Sequence, residues 1–146
     1  MVFVEIKKDI QLGLGIKKIK NIVFRILDFE HVKNGFVHIT FTNDKKLKKI
    51  NQQFLKHNSF TDVITFDLCD YKGKTKRSII NADIIISADR AQINSRYFGT
   101  KATEELVLYV IHGILHCLNY NDQTKQDFEK MQKRQEAILK KLKCIL

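Results

Sequence analysis

The alternation of apolar and polar residues changes period several times along the chain, and each change marks an expected element. Val2 to Ile6 alternates β-branched and aromatic residues with polar ones, which predicts a short strand. From Leu14 to Phe29, Ile16, Ile19, Val23, Ile26 and Leu27 recur at helical spacing with lysines on the other face, and Asn34-Gly35 closes that unit. Phe36 to Thr42 alternates strictly, Val37, Ile39 and Phe41 against Phe36, His38 and Thr40, as a half-buried strand does. Asn43 or Asp44 is suited to cap a helix running to about Leu55, with Leu47, Ile50 and Phe54 as its apolar stripe.

The second half repeats the alternation of strand and helix. Asp70 to Ser78 is polar and basic, with Gly73 suited to a hairpin loop, and Ile79 to Ser87 follows as a strand. Ser87 caps a short helix ending near Gly99. Thr100 or Thr103 then opens the most apolar helix, with Glu104 and Glu105 in its first turn and Leu106, Val107, Val110, Ile111, Ile114, Leu115 and Leu118 at helical spacing. Thr124 and Asp127 make a near capping box for a last helix. Its Phe128, Met131, Gln135, Ile138 and Leu142 share one face and are expected to cover the core.

Composition narrows the class. A chain of 146 residues that is 44% hydrophobic suits one domain, 1–146, with one core. No apolar run approaches the roughly 20 residues of a membrane span, and Met1 to Ile10 mixes charges into its apolar residues, unlike a signal peptide. Cys69, Cys117 and Cys144 lack zinc-finger spacing and cannot all pair, so a reduced cytoplasmic setting is expected. Net charge is +10, which favours polyanionic partners, and Lys72-Gly73-Lys74-Thr75-Lys76-Arg77 is the densest basic stretch; the bland alternative is that lysines merely solvate the surface.

Candidate chemistry lies in the apolar helix. His112 and His116 stand four apart, so their imidazoles share a face and can take one metal ion at about 2.0–2.1 Å per nitrogen. A helix cannot readily supply a third ligand, and Asn119 tolerates the left-handed conformation that would turn the chain back and bring in Asp122. Two imidazoles and a carboxylate leave a coordination position open, as in catalytic zinc sites. Satisfied core or surface histidines are the competing account. Zinc proteases place Glu directly after the first His; Gly113 stands there, against peptidase chemistry.

His112-Gly113-Ile114-Leu115-His116-Cys117-Leu118-Asn119-Tyr120-Asn121-Asp122 resembles the H-G-x-L-H-L-x-G-Y-D-H signature of the YbeY family of metal-dependent endoribonucleases. It departs at Cys117, Asn119, Asn121 and Asp122, the last replacing the third histidine. Ile50 to Phe66 is similar to a second signature, L-N-x-x-[YF]-R-x-x-D-x-P-T-[DN]-V-[LI]-[ST]-F, matching at Asn51, Phe54, Thr61, Asp62, Val63 and Phe66. It differs at Asn58, at Phe60 and at Leu55, where the family usually has an arginine thought to act in catalysis. Ala82-Asp83-Ile84-Ile85-Ile86-Ser87 resembles a third, G-D-I-x-I-S, with Ala82 for Gly.

The resemblance implies an α+β fold, a small mixed sheet covered by helices as in zincin-like hydrolases. It also implies a single-strand-specific endoribonuclease of ribosomal RNA maturation, whose partners are ribosomal RNA and the ribosome, with no nucleotide cofactor. One Zn²⁺ held by His112, His116 and Asp122 is expected to activate water and polarise the scissile phosphate. No catalytic residue is assigned; Lys56 and His57 neighbour the missing arginine and are the candidates, and Gly113 cannot serve as base. Thr61 and Asp62 are read either as a turn pair opening a strand or as site lining. The rival function is a non-catalytic RNA- or ribosome-binding factor with a structural metal.

Overall fold

A computed structural model describes residues 1–54, 61–70 and 78–146. Its elements are β1 (Val2–Lys8), α1 (Ile16–Phe29), β2 (Asn34–Thr42), α2 (Asp44–Phe54), β3 (Val63–Asp67), β4 (Ile79–Ser87), α3 (Ala88–Phe98), α4 (Ala102–Cys117) and α5 (Lys125–Leu142), followed by a short 3-10 turn at Lys143–Ile145. The strands form one sheet in the order β1-β2-β4-β3. β1, β2 and β4 run parallel, and β3 is the antiparallel edge. The fold is therefore α+β with a mixed sheet covered by helices, the expected zincin-like class.

Alternation decides which face each strand buries. Val37, Ile39 and Phe41 of β2 and Ile80, Ala82, Ile84 and Ile86 of β4 all point into the core, where α1, α4 and α5 cover them with Ile19, Ile22, Val23, Ile26, Ile111, Ile114, Leu115, Met131 and Ile138. On the opposite face, His38 Nδ1 lies 3.3 Å from Asp83 Oδ1, and Phe3 and Phe36 are exposed on adjacent strands in register.

Several expectations need correction. Asn34 and Gly35 open β2 rather than closing the preceding helical unit; that helix ends at Phe29, and His31 takes the positive φ (58°) just beyond it. Gly35 has φ +127°, and a Cβ there would lie 1.7 Å from the Ile80 carbonyl oxygen, so no other residue fits without moving β4. In α2, Leu47 is buried but Phe54 is exposed and meets Phe66 edge-on; buried Asn51 lies in the stripe instead. Asn43 is the α2 cap, its Oδ1 accepting from Lys46 N at 2.8 Å. The expected helix end at Leu55 lies outside the described residues, as do the Gly73 turn and the Lys72–Arg77 stretch.

Candidate metal centre

α4 is placed by its own sequence. Ser87 caps α3, accepting from Arg90 N at 3.2 Å, and Gly99 ends it at φ 69°. Neither Thr100 nor Thr103 caps α4: Lys101 occupies that position with no side-chain cap, while Thr100 Oγ1 donates to Glu105 Oε1 at 2.8 Å. Gly113 lets α4 lie close on the sheet. A Cβ there would meet Ile84 Cγ2 at 2.9 Å and Thr65 Cγ2 at 3.4 Å. The position after the first histidine thus faces strands β4 and β3, which adds a steric reason to the chemical one for having no glutamate there.

At the C-terminal end of α4, His112 Nε2 and His116 Nε2 approach to 3.0 Å, with the rings nearly perpendicular at 82°. The helix then ends, and Asn119 adopts φ 75°, the left-handed turn its residue type allows. That turn returns Asp122, whose Oδ2 lies 3.7 Å from His116 Nε2. Donor atoms of His112, His116 and Asp122 all fall within 4.8 Å of one another. Two nitrogens bound to one tetrahedral zinc ion at about 2.0–2.1 Å would stand roughly 3.3 Å apart, so the imidazoles need only small adjustment to share an ion. Among the described residues this is the one group of three or more His, Cys, Asp and Glu side chains able to do so. The chemistry and spacing of the donor set fit a divalent cation, and the negative end of the α4 dipole adds to the attraction.

Electrostatics favour ligand-ready imidazole at His116. Burial, and then the neighbouring His112, push its pKa below the ordinary imidazole value, against the opposing pull of Asp122 and of a hydrogen bond with the Tyr120 backbone. Neutral imidazole is the form that binds metal.

Two supports come from α5. His112 Nδ1 meets Gln135 Oε1 at 2.5 Å, and Gln135 Nε2 donates to Gln132 Oε1 at 2.8 Å. Arg134 pairs with fully buried Glu30, its Nε donating to Oε2 at 2.8 Å. Tyr120 in the returning turn hydrogen-bonds the same Glu30; burial, and then that bond, raise its phenol pKa to about 12. Glu30 and Arg134 thus anchor the turn that carries Asp122. Phe128, expected in the core stripe, is half-exposed and lines a small depression with His112, Asp122, Met131 and Gln135. Thr124 does cap α5, accepting from Asp127 N at 3.1 Å.

Thr61 Oγ1 donates to Val63 O at 3.4 Å, as a turn residue opening β3 does. Asp62 contributes its charge at Tyr109, one helical turn before His112, and is no part of the donor cluster. Lys56 and His57 lie outside the described residues.

A family model, Endoribonuclease YbeY, matches residues 5–143. The chain belongs to the YbeY family. Among similar members is the endoribonuclease YbeY of Christiangramia forsetii, 34% identical over 117 residues, which are 80% of this chain and 78% of that protein. That of Parabacteroides distasonis is 32% identical over 133 residues, 90% and 89% of the two chains. The solution structure of TM1509 from Thermotoga maritima superposes with a TM-score of 0.62 at 27% identity, covering 97% of this chain and 92% of that one. YbeY membership gives the His112–Asp122 turn its context: the signature residues of the resemblance are the ones the fold gathers at the end of α4. No helix among the described residues is long and apolar enough to cross a membrane.

Proposed function

We propose that this YbeY-family chain, acting as one domain over 1–146, is a metal-dependent endoribonuclease that cuts single-stranded RNA during ribosomal RNA maturation in the cytoplasm. The observation that carries the reading is the convergence of His112 Nε2, His116 Nε2 and an Asp122 carboxylate oxygen on one point at the end of α4. Its relatives' shared name, endoribonuclease YbeY, supplies the reaction class.

His112, His116 and Asp122 would hold one Zn²⁺. A divalent ion there supplies Lewis-acid polarisation of a phosphate and activation of water. Three protein ligands leave room for substrate, whereas four would close the site. The remaining steps belong to the chain. Asp122 adds negative charge where the signature carries a neutral imidazole, so the centre is less cationic and leans more on other groups to steady phosphate charge. Leu55 stands where the family usually offers a bidentate arginine, and Lys56 or His57 is the proposed substitute. A net charge of +10 draws RNA to the surface ahead of any specific contact.

The test pairs metal analysis of purified protein with cleavage of single-stranded ribosomal RNA, with and without chelator. About one zinc per chain is expected, since three ligands define one such site, together with cleavage that chelator abolishes and a clear loss of metal in Asp122→Ala. Full metal occupancy in both His116→Ala and Asp122→Ala would overturn the ligand assignment. Metal binding without cleavage would instead favour a non-catalytic RNA- or ribosome-binding factor, the reading that Leu55 at the arginine position supports.

A further inference from the structure

Gln135 is a buried polar side chain on a helix whose other inward residues are apolar. Its amide oxygen faces the His112 ring nitrogen that points away from the donor cluster. We infer that Gln135 is a positioning residue for the metal centre: it holds the His112 proton on Nδ1 and so keeps the Nε2 lone pair free for the cation. This rests on the metal-ligand reading above and adds to it a group on a different helix.

A neutral imidazole has one N–H, and the partner of one nitrogen decides the state of the other. With Gln135 Oε1 at 2.5 Å from Nδ1, that nitrogen must donate. Nε2 is then an acceptor, and it is the atom that lies 3.0 Å from His116 Nε2 in the cluster. Turning the amide over would present an NH₂ to Nδ1, move the proton to Nε2 and block coordination. Gln132 opposes that inversion, because its Oε1 takes the Gln135 amide proton at 2.8 Å. The order Gln132, Gln135, His112 is thus a line of hydrogen bonds with one polarity, ending in a lone pair aimed at the cation. His116 has a different outer brace, the Tyr120 backbone, while its Nε2 faces the His112 Nε2 directly. Outer partners of metal-bound histidines commonly govern metal affinity by about 10–100-fold.

An amide also differs from a carboxylate at this place. Asp122 already brings one negative charge to the cluster. A neutral acceptor at Gln135 orients His112 without adding a second charge, so the centre keeps a net positive charge when a divalent ion binds. Gln135→Glu keeps the acceptor and adds charge; Gln135→Leu keeps the volume and removes the acceptor.

Nitrogen NMR of the metal-free protein at about pH 8, where imidazoles are ordinarily neutral, reads the tautomer directly. His112 should carry its proton on Nδ1 in wild type and in Gln135→Glu, and should become a mixture in Gln135→Leu. Zinc affinity by chelator competition should fall about 10–100-fold in Gln135→Leu, stay at or above wild type in Gln135→Glu, and fall less in Gln132→Ala. An Nε2–H tautomer in the wild-type metal-free protein overturns the proposal, whether or not the variants fold. So does a Gln135→Leu protein that folds with zinc affinity within about twofold of wild type. If wild type takes up no zinc at all, the ligand reading fails, while the tautomer measurement still decides the role of Gln135.

Discussion

Helices α4 and α5 meet at the candidate metal centre and contribute to it in opposite ways. α4 is apolar around most of its circumference and buried, and it carries the two histidines proposed as ligands. α5 is amphipathic with a mainly charged outer face, yet partly exposed Arg134 and buried Gln135 hold the turn and His112. Donors on a deeply packed helix gain fixed backbone positions but little freedom in choosing their ring partners. Those partners come instead from a helix at the rim. The site is therefore built across an interface, and weakening α5 should loosen metal without touching a ligand.

The largest separation between the two helices should come from Arg134→Ala. Removing it takes the paired guanidinium away from fully buried Glu30. A cost toward the lower end of about 3–5 kcal/mol in denaturant unfolding is expected, because the guanidinium is itself about one-third exposed. Weaker zinc binding should accompany it, through the freed turn. A loss below about 1 kcal/mol with unchanged affinity would mean that the ion pair does not brace Asp122. Gly113→Val tests the α4 side: crowding against Ile84 and Thr65 should cost about 1–3 kcal/mol. Gly113→Ala should also destabilise, by less than Gly113→Val, because fully buried Ile84 must shift from a Cβ at 2.9 Å while helix propensity returns only about 1 kcal/mol. Both should bind zinc as wild type does once folded; a large affinity loss in Gly113→Ala would show that the ligands sense the sheet contact directly.

Smaller effects sharpen the picture at the helix ends. Thr124→Ala removes the α5 cap and should cost about 1 kcal/mol, seen as a lower unfolding midpoint with metal affinity nearly intact. Leu55→Arg should change cleavage rate little if Lys56 or His57 already supplies the cation. A marked rate increase would show that phosphate charge goes poorly stabilised in the native chain.

How far the sequence revealed this follows from residue type. Histidine is scarce, so two of them in the most apolar stretch, followed by a left-handed-tolerant Asn119 and a carboxylate, were legible as a cluster. Ser87 and Thr124 were legible as caps because their hydroxyls act locally. Gln135 was not: glutamine on an apolar stripe has no spacing that tells a ring partner from a filler. Glu30 was missed for distance, since its partner lies 104 residues away. Phe54 and Phe128 misled because each lies near a helix end, where the stripe runs out beyond the core. Sheet order was beyond periodicity altogether, because parallel pairing of β2 with β4 joins segments that no local pattern links.

Cys117 follows His116 directly and is fully buried, while Cys144 is exposed at the far end of the chain. An alkylating reagent should therefore modify Cys144 promptly and reach Cys117 only when the end of α4 lifts from its surroundings. In a Cys69→Ala background, which removes the other buried thiol, the slow phase of thiol labelling becomes a clock for local opening beside the histidines. Its rate should fall with the fraction of zinc-free protein, giving a readout of the centre that needs no RNA substrate.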